Sequence, residues 1–101
     1  MVKSKVYDNT LYINITGDLD EHNANNVRKD IDNIMQLETY RQIIIDLSDL
    51  DFMDSTGIGV LIGRYKIIKD KGIPIFISNP NKQVDKIFSM TGIYNIMPKI
   101  N

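Results

Sequence analysis

Apolar and polar residues alternate strictly from Leu11 to Thr16, with Leu11, Ile13 and Ile15 on one side and Tyr12, Asn14 and Thr16 on the other. A period of two is that of a half-buried strand, and the turn-forming pair Asp8–Asn9 just upstream predicts a hairpin of two strands. After Gly17 a polar loop, "DLDEH", leads into a segment where Ala24, Val27, Ile31, Ile34 and Met35 recur three and four residues apart. That spacing predicts an amphipathic helix lying on an apolar surface. In "RQIIIDL" three isoleucines follow one another, a short β-branched run that suits a central strand buried on both faces.

From Asp54 the period changes again. Ile58, Leu61, Ile62, Tyr65 and Ile68 mark a second helix with Gly72 as its stop. "IPIFIS" reads as another strand, with Pro74 placing it at a strand start or a sheet edge because proline has no N–H to give. Val84, Ile87 and Phe88 then define a brief third helix ending at Gly92, and the tail "IYNIMPKIN" offers a last strand. The order β-β-α-β-α-β-α-β predicts an α/β domain in which the later strands pair in parallel through right-handed crossovers. The expected architecture is one mixed sheet of about four to five strands with helices packed on it.

Composition narrows the chemistry. The chain has 101 residues, the size of a single domain, and a net charge of −1, so it carries no basic field for nucleic acid or an anionic membrane. It has no cysteine, which removes disulfides, thiolate catalysis and cysteine-zinc sites, and the lone His22 has no companions for a metal site. No apolar run approaches the roughly 18 residues of a membrane helix, and the N-terminus lacks a signal-peptide core. A cytoplasmic protein with no metal and no cofactor of its own is expected.

The segment from Asp54 to Gly63 does not fit a plain helix. Either Ser55 or Asp54 stands where an N-cap belongs, at the point where extended chain turns helical. Capping does not explain Gly57 and Gly59 directly after it, because glycine inside a helix costs about 1 kcal/mol relative to alanine. Gly59 and Gly63 are spaced to let a backbone approach closely, and Gly57 to bare the helix start to a partner; internal packing and an exposed contact surface are both open. A helix N-terminus favours an anion. "GIGVLIGR" lacks the Gly-Lys-Ser/Thr of a P-loop, and Ile62 stands where a dinucleotide fingerprint needs glycine. A covalent phosphate on Ser55 is the third anion reading. Asp46, Asp49, Asp51 and Asp54 precede the hydroxyl, and a unit charge ~6 Å from a carboxylate costs on the order of 2 to 3 kcal/mol at an effective dielectric near 20. Modification would therefore turn a docking surface off.

These residues carry a family likeness. "IIIDLSDLDFMDSTGIGVLIGRYK", Ile43 to Lys66, resembles the signature segment of the STAS domain in bacterial anti-sigma factor antagonists, and "GRYKIIK" is especially close to the sporulation branch that antagonises the anti-sigma-F factor. "ITGDLDEHNA" and "IFSMTGIYNIM" extend the likeness over nearly the whole chain, one STAS domain spanning 1–101. The resemblance implies a partner switch. The unphosphorylated form binds the anti-sigma factor, a serine kinase that holds ATP, and so frees the sigma factor; phosphorylation on Ser55 ends the binding, and a serine phosphatase restores it. Carried onto this chain, the contact surface is Asp54, Ser55, Thr56, Gly57, Ile58 and Gly59, with Asp20 facing the partner near the kinase's nucleotide. Thr56 stands where the sporulation branch often has serine, Glu21–His22 replaces a common His–His, and the helix with which relatives usually end is expected to be absent. No catalytic residue is implied. Two alternatives differ in class: a non-switching STAS subunit of a larger stress-signalling assembly, and a small haloacid-dehalogenase-like phosphatase using Asp46, for which Ser48 stands where a second aspartate is needed.

Overall fold

The computed structural model describes residues 1–101. Strand β1 (Val2–Tyr7) turns through Asp8 and Asn9, both with positive φ (52° and 60°), into β2 (Thr10–Ile15), and the two pair antiparallel from Tyr7↔Thr10 to Val2↔Ile15. A two-residue loop with both φ values positive matches the right-handed twist of the strands it joins, and Asp and Asn tolerate it. The expected hairpin is thus present.

Helix α1 (Ala24–Leu37) carries the chain from β2 to β4 (Gln42–Asp46), and α2 (Ser55–Ile68) carries it on to β6 (Ile75–Ser78). Both crossovers step the same way across a sheet ordered β1-β2-β4-β6, with β2, β4 and β6 mutually parallel. Right-handed connections stepping in one direction place both helices on one face. Leu11, Ile13, Ile15, Ile43, Ile45, Ile75 and Ile77 turn toward that face and form one core with Val27 and Ile31 of α1, Leu61 of α2, and Val84 and Phe88 of α3 (Lys82–Thr91).

That handedness corrects the expectation for the triple isoleucine. Ile43 and Ile45 are buried, but Ile44 points the other way and is partly exposed in a row with Tyr12 and Phe76. The tail also differs from a full strand. Ile93–Asn95 forms a tight helical turn, placing Tyr94 edge-on to Phe88 at 5.7 Å, and the chain then bridges β6 only at Ile77↔Lys99. Ile77 N donates to Pro98 O and Ile100 N to Ile77 O, each at 2.9 Å, while Pro98 itself has no donor to extend the ladder. Gly72 and Gly92 stop their helical segments in the left-handed conformation as expected.

Two short strands lie outside the main sheet: β3 (Gly17–Leu19) and β5 (Leu50–Met53), paired in parallel with Leu19 opposite Met53. They hold three and four residues, too few for a period to show, and each contains an aspartate. Their consequence is positional. The residues that follow this registered pair, Asp20 and Asp54, leave the small sheet side by side.

The buried stripe of α2 is Gly57, Val60, Leu61, Arg64 and Ile68, while Ile58, Ile62 and Tyr65, the positions expected to face the core, are only half-buried. Arg64 replaces an apolar contact between helices: its Nε lies 2.9 Å from Asp32 Oδ1 of α1, an ion-pair distance at an angle outside hydrogen-bond geometry.

Candidate functional site

The junction of β5 and α2 settles which residue caps the helix. Asp54 is extended (φ −102°, ψ −175°), and its Oδ1 accepts from Gly57 N at 3.0 Å. An aspartate there satisfies one of the helix's free N–H groups and sets a negative charge against the positive helix end. Ser55 is therefore the first helical residue, exposed, and neither its hydroxyl nor that of Thr56 takes part in a hydrogen bond. Ser48 Oγ donates to Asp46 Oδ2 at 3.1 Å and Thr91 Oγ1 to Ile87 O at 2.9 Å, while the exposed Ser89 hydroxyl is unbonded too but lies near the end of α3, away from any helix start. Ser55 stands at the positive end of a helix with its oxygen unused.

Asp20 is brought to the same place by a second set of bonds. Its Oδ1 accepts from His22 N at 2.9 Å, and its own N donates to Asn23 Oδ1 at 3.0 Å. Asp54 N donates to Leu19 O at 3.3 Å, and Glu21 N donates to Asp54 Oδ2 at 3.2 Å. The Asp20 loop and the start of α2 thus form one surface. His22 is exposed at its edge.

The glycines divide differently from the sequence expectation. Gly57 is buried, and a β-carbon there would lie 2.5 Å from Leu19 O and 2.8 Å from Met53 Cγ, so Gly57 is a close-packing residue and not itself a bared contact. Gly59 and Gly63 have nothing within 4 Å of the corresponding position, so neither serves an internal backbone approach. Ser55, Gly59 and Gly63 recur every four residues and share one helix face, flanked by half-buried Ile58 and Ile62. Thr56 is exposed beside them.

The acidic surroundings also come from an unexpected direction. Asp51 precedes Asp54 along an extended strand, about 10 Å of rise, which is past the screening length at physiological salt. Asp46 and Asp49 both accept from Asn14 Nδ2 at the end of the main sheet, at 3.1 Å each. The carboxylate next to Ser55 is that of Asp54, and its bond from Glu21 N brings the backbone of the Asp20–Glu21 loop beside it. Asp46, the alternative nucleophile, has both oxygens occupied: Oδ1 accepts from Ser48 N and Asn79, Oδ2 from Ser48 Oγ and Asn14. Burial alone would raise its pKa, but these bonds outweigh burial and hold the carboxyl below its ordinary range.

Phe52 is an exposed aromatic ring beside this surface that the sequence pattern does not mark. It lies in β5 opposite Asp18, three positions before Ser55, and is 39% exposed. Only the pairing of β3 with β5 turns it outward, and nothing in "DLDFMD" marks that pairing. Two surface grooves lie elsewhere, one between the ends of α1 and α2 at Met35, Tyr40, Ile67 and Ile73, the other over Tyr12 and Ile44 on the open sheet face. Ser55 lines neither, so its setting is an exposed surface. No helix is long and apolar enough to cross a membrane.

The STAS domain family matches this sequence over residues 1–101. The chain is 38% identical over 88 residues to an anti-sigma F factor antagonist of Paenibacillus polymyxa, covering 87% of this chain and 75% of that protein. It is 30% identical over 96 residues to an anti-sigma-B factor antagonist of Bacillus subtilis (strain 168), covering 95% and 86%. Among solved structures it is similar to the anti-sigma factor antagonist SpoIIAA in its unphosphorylated form, with a TM-score of 0.81 at 25% identity over 100% of this chain and 89% of that one. The phosphorylated form of the Bacillus protein SpoIIAA superposes with a TM-score of 0.74, again at 25% identity, over 100% and 92%.

Proposed function

The chain belongs to the STAS domain family, and from that premise we propose that it is an anti-sigma factor antagonist whose binding is switched at Ser55. Unmodified, it docks on an anti-sigma factor that is also a serine kinase and so releases the sigma factor. Phosphoryl transfer moves the γ-phosphoryl group of the kinase's ATP onto Ser55 Oγ, which gives up its proton, and ADP leaves. A serine phosphatase reverses the step. The protein itself acts by binding, in the cytoplasm, and catalyses neither reaction.

One observation carries this reading. The N-cap duty at α2 belongs to Asp54, leaving the Ser55 hydroxyl exposed and unbonded. A phosphoryl group can be placed there without dismantling the helix. It brings about −1.5 to −2 charge beside Asp54 and the Asp20–Glu21 pair, while the helix end offsets only part of the repulsion. The docking face is Ser55, Thr56, Ile58 and Gly59 of α2, Asp20 and the exposed ring of Phe52, with Asp54 and Gly57 holding them together from within. The open positions at Gly59 and Gly63 support docking, since glycine weakens a helix and no internal neighbour fills the space.

The test is to mix the protein with the kinase of the same organism and ATP, then map the modified residue. Phosphate on Ser55 together with loss of the complex is the expected result; phosphate elsewhere, or a complex that survives it, overturns the proposal. Size measurement on the pure protein addresses the assembly alternative, which a large homogeneous particle would favour.

A further inference from the structure

We propose that Asp54 is a positioning residue, one that fixes the Asp20 loop against the start of α2 and acts on the partner only through the surface it holds in register. The inference rests on the docking reading of Ser55 and adds how the docking face is built. Its two carboxylate oxygens reach amides on different segments: Oδ1 takes Gly57 N of α2 at 3.0 Å, and Oδ2 takes Glu21 N of the loop at 3.2 Å. None of the loop's other side-chain bonds reaches α2. Asp20 Oδ1 accepts from His22 N, Asn23 Oδ1 from Asp20 N, and Asn23 Nδ2 donates to Asp18 O and contacts Met1 Sδ. The Glu21–Asp54 bond is the side-chain hydrogen bond that joins loop to helix.

Backbone geometry makes the arrangement tight. Leu19 and Met53 face one another in the small sheet, Asp54 N donates to Leu19 O, and Leu19 O lies against Gly57. The carboxylate completes this junction by reaching Glu21, two residues beyond Leu19, and Gly57 in the first turn of α2. With both oxygens engaged internally, Asp54 is not a free handle for a partner; its effect on binding comes from presenting Asp20 and Ser55 in one fixed arrangement. A partner that must order the loop as it docks loses affinity for that reason alone.

Asparagine separates the two bonds. It caps a helix as well as aspartate does, so Oδ1 of an Asp54→Asn variant keeps Gly57 N, while its amide turns a donor toward the Glu21 N–H and breaks the tie. In the wild-type protein alone, NMR should show a slowly exchanging Glu21 amide with a through-bond coupling to the Asp54 carboxyl carbon. In Asp54→Asn, Glu21 exchange should quicken at least about tenfold while Gly57 exchange is unchanged, and kinase affinity should fall on the order of tenfold with Ser55 unmodified. A Glu21 amide that exchanges freely in the wild type overturns the proposal without any variant. So does an Asp54→Asn protein with a loosened Glu21 and full affinity. Failure of the switch reading has a different signature, unchanged affinity after Ser55 is phosphorylated, and the exchange measurement needs neither kinase nor phosphate.

Discussion

Leu19 and Gly57 touch so closely that residue 57 has no room for a side chain: a β-carbon would sit 2.5 Å from the Leu19 carbonyl oxygen, which is backbone and cannot swing aside. Gly57→Ala should therefore destabilise the fold by about 1–3 kcal/mol through overpacking. Gly59→Ala has free space and should gain up to about 1 kcal/mol from better helix propensity. Denaturant midpoints of the two variants read the difference. If Gly59 faces the partner, the stabilised Gly59→Ala protein should nonetheless bind the kinase about tenfold more weakly, a stability gain paired with a binding loss.

Substitutions at Ser55 separate charge from shape. Ser55→Ala removes the proposed phosphate acceptor and no internal hydrogen bond, so it should fold normally and stay bound to the kinase in the presence of ATP. Ser55→Asp adds one negative charge beside Asp54 and should weaken binding about tenfold, less than phosphoserine, which adds about −1.5 to −2. Titration calorimetry at rising ionic strength checks the cause. Screening should shrink the gap between Ser55→Asp and the wild type.

How much of this could be read beforehand differs by element. The hairpin, α1, α3 and the glycine stops follow from short-range patterns: Asp8–Asn9 for the turn, three- and four-residue apolar spacing, left-handed Gly72 and Gly92. The fate of Ile44 was hidden, because a triple isoleucine reads the same whether one face or both are covered; the direction of the crossovers decides, and that belongs to the sheet as a whole. Strands β3 and β5 were hidden for a related reason, being too short for a period and stabilised by each other. The start of α2 at Asp54 and Ser55 is legible in the local motif. The role of Gly57 is not, since its neighbour Leu19 is far away in sequence, and the same holds for the Glu21–Asp54 bond.

Arg64 is another feature that only the structure explains. Its side chain is 8% exposed and rests against Asp32, whose side chain is 42% exposed. Burial pushes the guanidinium pKa down while the Asp32 charge opposes that shift. Removing the carboxylate leaves a buried cation without its partner, so Asp32→Ala should destabilise by roughly 1–2 kcal/mol, below the range for a fully buried pair because Asp32 meets solvent. Adding Arg64→Met to Asp32→Ala should recover most of that loss by exchanging a stranded charge for an apolar contact across α1 and α2. Equal additive losses in the two single variants and the double would contradict a coupled pair.

The dependence of stability on pH follows from three groups. Bonds from Ser48, Asn14 and Asn79 overcome the effect of burial and hold Asp46 low; Asp85 is held low by the Tyr94 hydroxyl at 2.6 Å and Lys99 at 2.9 Å. A carboxyl whose folded pKa is depressed contributes stability that is complete above its unfolded value of about 4 and is lost as pH falls through the folded value. Tyr94 has the opposite sign: burial, and then the bond to Asp85, push its pKa up, so its contribution is complete below about 10 and is lost as pH rises past that value. Thermal midpoints should thus be flat from about pH 5 to about pH 9 and fall on either side. Asp46→Asn should flatten the acid fall, and Tyr94→Phe the alkaline one, with a remainder from Tyr40, whose hydroxyl is also raised by burial. Asp85→Asn should soften both falls at once, because one carboxylate lies behind the low acid pKa and part of the high phenol one. An alkaline fall left unchanged in Asp85→Asn would mean that burial alone sets Tyr94.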